Sequence, residues 1–130
     1  MANEVISKRT FYRGFLLAVA KNAGKEFLAD GADFHRAFDE AVRVRNELSD
    51  VPVIEGERWL RIDPVFGVMK AADEMLLFGE RERLLTLGNP ELQKASFKIS
   101  REEAAVELED VGNVELFDKM AGRFLERLKR

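Results

Sequence analysis

The sequence predicts a mostly helical α+β domain, with about five helices in the order α-α-β-α-β-α-α and a small two- or three-stranded sheet. Apolar residues recur three and four positions apart in most segments, which is the spacing of an amphipathic helix. Capping residues bound several of these segments, and one short stretch alternates as a strand does. At 130 residues the chain predicts a single domain, 1–130, able to bury roughly two-thirds of its unfolded surface.

The first two helices are predicted from stripes rich in phenylalanine. Phe11 and Phe15 begin the first stripe, and Asp33 can cap a second helix over 34–48. Gly14 lies inside the first stripe, and its missing Cβ would let another helix pass closely. Gly24 is expected to end the first helix and to leave 25–29 as a frayed turn.

A long helix over 64–87 is predicted to form the centre of the core. Asp63 can cap it, and Pro64 suits the first helical position. Gly88 and Pro90 mark its end. Because its apolar residues cover more than one face, the helix should need neighbours on several sides.

Two strands are predicted, at 58–62 and 93–99, on either side of the central helix. The second is the clearer, since Ala95, Phe97 and Ile99 alternate with polar residues. The strands can pair with each other, and the sequence leaves parallel and antiparallel pairing open.

The last two helices are predicted from capping signals and a long stripe. Ser100 and Glu103 form a capping box, in which the hydroxyl accepts the Glu103 N–H. Gly112 ends this helix, and Asn113 can cap the final one, whose stripe extends over 114–128.

Composition excludes several kinds of function. The chain has no cysteine, so disulfides, thiol catalysis and cysteine zinc sites are excluded. No apolar run is long enough to span a membrane, and no signal peptide is recognisable. We therefore expect a soluble cytoplasmic protein without a membrane partner, and no motif calls for a cofactor.

One weak metal candidate exists. His35 is the only histidine, and Asp39 follows at the helical spacing that lets two side chains share a metal. No further ligand can be assigned, so a solvated helix start explains the pair better. A metal-dependent enzyme centred on this pair is the third functional hypothesis, and an enzyme is the poorer choice because no catalytic constellation can be placed.

Charge is unevenly distributed along the chain, although the net charge is only −3. Residues 102–118 carry seven acidic and no basic side chains. These side chains can bind a basic partner or, more simply, form a solvated face. The two ends are basic, and they would bind nucleic acid if they converged on one face. The residues of this second hypothesis are Lys8, Arg9, Arg13, Arg123 and Arg127. The acidic total argues against it, so we expect no nucleic-acid partner.

The first hypothesis is a non-catalytic interaction module: a small acidic adaptor, a chaperone-like or inhibitor-like subunit, self-associating as a dimer or other homo-oligomer. Its stripes offer more apolar surface than so small a sheet can cover. The candidate partner-binding residues are Trp59 with Arg58 and Arg61, and Phe117, Phe124 and Leu128 of the final helix. The competing explanation is that the final helix closes the core against the first.

Overall fold

The computed structural model describes residues 5–23, 26–28, 31–48, 51–55, 70–87 and 94–128. In this part of the chain it confirms a mostly helical α+β fold with five helices. They are α1 (Lys8–Ala23), α2 (Gly31–Glu47), α3 (Lys70–Arg81), α4 (Arg101–Val111) and α5 (Val114–Leu128). The short strands are β1 (Val5–Ile6), β2 (Glu26–Leu28), β3 (Val53–Ile54), β4 (Leu85–Thr86) and β5 (Lys94–Phe97). None of the helices described has the length and apolar character that a membrane crossing requires.

The strands form two small sheets. β1 and β3 pair in parallel, while β5 lies between β2 and β4 in an antiparallel sheet. The predicted strand 93–99 is confirmed as β5, but its partners differ from the expected one. β2 occupies the stretch expected to be a frayed turn, because Phe27 pairs with Ala95 and both side chains are buried. The predicted strand 58–62 lies outside the described residues.

The predicted helix 64–87 is too long at its carboxyl end. α3 ends at Arg81, and residues 64–69 lie outside the described part. Arg83 adopts a positive φ of 62°, which a helix does not allow, and the chain turns back there. Leu85 therefore belongs to β4 and pairs with Phe97 of β5 instead of widening the helical stripe.

The centre of the core is α1, and the prediction that helix 64–87 holds this place is wrong. α1 packs against α3, α4 and α5, and its phenylalanine rings reach α2. The Phe15 ring lies 5.2 Å from the rings of both Phe38 in α2 and Phe124 in α5. Three of the five helices thus meet in one cluster of aromatic rings, which is fully buried.

The close approach expected at Gly14 is confirmed. A Cβ added at Gly14 would lie 2.4 Å from the Phe117 ring, far inside van der Waals contact. α5 therefore crosses α1 where α1 has no side chain, and Phe117 fills that space.

The signals at Ser100 and Gly112, which bound α4, are also confirmed. The Ser100 hydroxyl accepts the Glu103 N–H at 3.1 Å, and the Glu103 carboxylate accepts from that hydroxyl. Gly112 ends α4 with a φ of 93° and donates its N–H to the Leu108 carbonyl. These local bonds set the points at which α4 begins and ends.

Candidate protein-interaction groove

A groove of about 320 Å³ lies between α1 and α3, and we call it the α1/α3 groove. Tyr12 and Phe78 form its floor, with ring centroids 5.8 Å apart. Leu77 stands at its edge and is 55% exposed. Lys8 and Tyr12 lie one turn apart on α1, and Glu74 and Phe78 lie one turn apart on α3. The two pairs contact each other across the helices and line the groove.

The polar groups of the groove form a small network around Glu74. Its carboxylate accepts from the Tyr12 hydroxyl at 3.1 Å and from the Lys8 ammonium at 3.3 Å. Arg9 and Arg81 complete the rim, so three cations accompany one carboxylate. Arg9 pairs with Glu82 at 3.5 Å, whereas Arg81 has no ion pair with any residue that the structure describes. Among the described residues, the rim therefore has one cation in excess, which is Arg81.

Burial raises the pKa of the Tyr12 phenol, and the neighbouring Glu74 carboxylate raises it further. The phenol therefore stays protonated in the folded protein and acts as a hydrogen-bond donor.

This shift predicts that the protein loses stability in alkali. Above about pH 10 the unfolded chain ionises Tyr12 while the folded chain does not, so the free energy of unfolding falls as pH rises. Thermal melts from pH 8 to 11 should show a smaller fall in melting temperature for Tyr12→Phe than for the wild type. Equal slopes in the two proteins would contradict the assignment.

The structure does not bring His35 and Asp39 together as metal ligands. The His35 Nε2 lies 3.7 Å from an oxygen of Asp73 in α3, and its ring packs edge-on against Phe34. The Asp39 carboxylate pairs instead with Arg43 at 3.1 Å. The described residues contain no group of three side chains suited to a metal ion.

The candidate nucleic-acid residues are distributed over different helices. Lys8, Arg9 and Arg13 of α1 pair with Glu74, Glu82 and Glu107, respectively. Arg127 of α5 pairs with Glu40 of α2 at 2.9 Å, and Arg123 is exposed to solvent. The basic set of α1 thus faces α3 and α4, while Arg127 faces α2. Carboxylates neutralise four of the five candidates.

The candidate partner-binding residues of α5 lie inside the domain. Phe117 and Phe124 are 0% exposed, and Leu128 packs against the core. α5 packs against both α1 and α2, so the competing explanation of its stripe describes this structure. Placing these phenylalanines on a partner surface was wrong, because the domain itself covers them. Trp59, Arg58 and Arg61 lie outside the described residues.

Sequence reasoning missed Leu77 and the groove beside it. Leu77 lies within the predicted helix 64–87 and was not singled out, although its helical neighbours are charged. They are Asp73, Glu74, Glu80 and Arg81, at the positions three and four residues away on either side. An apolar residue surrounded by charges on a helix was the available signal for an exposed contact residue.

Comparison of the chain with protein-family models, with curated proteins and with solved structures found no match. The fold and the site therefore define the class: a small helical α+β domain with an apolar groove between two of its helices and a basic rim around that groove.

Proposed function

We propose that the protein is a non-catalytic interaction module that binds another polypeptide in the α1/α3 groove. The observation that carries this proposal is Leu77, which is 55% exposed beside a floor made by Tyr12 and Phe78. Grooves of this kind accept the apolar face of an amphipathic helix, whose anchors recur three and four residues apart. An adaptor, a chaperone-like subunit or an inhibitor-like subunit would each bind its partner through this groove.

The polar chemistry of the groove supports binding more than catalysis. Glu74 already accepts two hydrogen bonds, and the raised pKa of Tyr12 keeps its phenol from acting as a base. Lys8 and Arg9 on the rim already pair with Glu74 and Glu82, so Arg81 is the rim cation that suits an acidic residue flanking the partner's apolar anchors. A cytoplasmic location and self-association remain part of the proposal.

Co-purification from the native host tests the function. We expect at least one protein to be retained by the tagged wild type and lost by Leu77→Glu, because the new carboxylate would enter the apolar groove. The control is Val53→Glu, at a valine that is 40% exposed on β3 and does not line the groove. The proposal fails if Leu77→Glu retains the same proteins as the wild type.

We expect no specific binding of DNA or RNA. Lys8, Arg9, Arg13 and Arg127 already have carboxylate partners, so phosphates would have to compete with those ion pairs. Mobility shifts of labelled DNA and RNA over a range of salt concentrations would check this expectation. A salt-sensitive shift that is lost when Arg9, Arg13, Arg123 and Arg127 are replaced by Gln would reverse it.

A further inference from the structure

α4 exposes an apolar residue in the middle of an acidic surface. Val106 is 63% exposed, and exposed carboxylates stand three and four residues away on both sides. We call this set the α4 surface: Val106 with Glu102, Glu103, Glu109 and Asp110. Glu103 takes part in the capping box, whereas the other three carboxylates have no ion pair with any described residue.

α4 and the α1/α3 groove lie on either side of the same strip of α1. Lys8 and Tyr12 face α3 through their bonds to Glu74, and Arg13 faces α4 through its ion pair with Glu107. Arg9 lies between them in the helical order and is the most exposed of the basic side chains on this strip. α3 and α4 therefore flank one open strip of α1.

We propose that the α1/α3 groove of one copy binds the α4 surface of a second copy, and that the chain thereby forms a two-fold symmetric dimer. The inference rests on the proposed function, since it names the partner of the same groove. Val106 enters the groove beside Leu77, and both apolar side chains leave water.

Charge complementarity favours this occupant. Lys8 and Arg9 of the groove pair with Glu74 and Glu82, so Arg81 is its cation in excess, while the α4 surface presents four carboxylates around its valine. Arg81, which lacks a described ion partner, gains the carboxylates of Glu109 and Asp110 as partners. Opposite potentials of this kind set the register of an interface and speed association.

The topology favours a closed dimer over an open chain of copies. Because α4 and the groove flank one strip, a two-fold axis that runs along that strip places each α4 over the groove of the other copy. The contact then occurs twice, and no groove remains unfilled.

The first experiment measures mass by light scattering and sedimentation at micromolar concentrations. We expect twice the 14.8 kDa chain mass. Val106→Glu and Leu77→Glu should each raise the dissociation constant by about tenfold or more, as loss of a buried anchor does. The matched control is Val5→Glu, at a valine that is 64% exposed on β1 and should leave the dimer intact. Circular dichroism reports whether each variant folds.

The second experiment reverses charges. Arg81→Glu should weaken the dimer, and so should the double variant Glu109→Arg with Asp110→Arg. A one-to-one mixture of the two should restore it, because each contact in the mixed dimer then joins either two native or two reversed surfaces. This recovery needs both surfaces in one interface, so a variant that merely misfolds cannot produce it.

A chain that is monomeric throughout the concentration range overturns the dimer, as does a dimer insensitive to Val106→Glu or a mixture that shows no recovery. A monomer whose Leu77 is still needed to retain another protein keeps the proposed function. A Val106-dependent dimer that tolerates Leu77→Glu, combined with no Leu77-dependent partner, contradicts both.

Discussion

Phe124→Ala is expected to lower the free energy of unfolding by about 3–5 kcal/mol, the range for removing a buried phenylalanine ring. The ring is 0% exposed, and its centroid lies 5.2 Å from that of Phe15, 5.4 Å from Phe27 and 6.0 Å from Phe34. It therefore joins α5 to α1, β2 and α2 at once. Because neighbours on three elements surround the site, it cannot collapse to fill the cavity.

Urea denaturation of Phe124→Ala beside Phe97→Ala gives the measurement and its matched control. Phe97→Ala removes the same ring at a half-buried position on β5, so the free energy of unfolding should fall by clearly less than in Phe124→Ala. If Phe124→Ala instead leaves stability unchanged but separates a dimer into folded monomers, Phe124 belongs to an interface between copies and not to the core.

Gly14→Ala is expected to destabilise the protein by about 1–3 kcal/mol, although alanine favours a helix more than glycine does. The new Cβ would lie 2.4 Å from the Phe117 ring, which is itself fully buried. Either that ring must leave its position or α5 must move away from α1, and packing is lost in both cases.

Gly122→Ala is the control for this prediction and should have the opposite sign. Gly122 is exposed within α5, and an added Cβ meets nothing within 4 Å. The substitution should therefore stabilise the helix by about 0.5–1 kcal/mol. Thermal and urea denaturation of both variants would decide the matter, and a stabilising Gly14→Ala would contradict the close crossing of α1 and α5.

The sequence by itself determined the features that depend on neighbouring residues. The capping box at Ser100, the stop at Gly112 and the alternating strand at 94–97 each follow from a few adjacent side chains and their backbone preferences. The amphipathic stripes likewise showed how many helices must bury a face. Gly14 was informative for the same local reason, since a missing Cβ on an apolar face suits a close neighbour.

Only the tertiary structure decided which surfaces cover one another. A stripe shows how much area must leave water but not what covers it, so the stripe of α5 suggested a partner although α1 and α2 bury it. α3 ends near Arg83, which has a positive φ, and an arginine in the sequence does not predict that conformation. The groove forms because folding brings Tyr12 and Leu77 together, and Arg13 pairs with Glu107, which is far away in the sequence. Such contacts join residues distant in sequence, and packing of the whole chain sets them because no local preference specifies the partner.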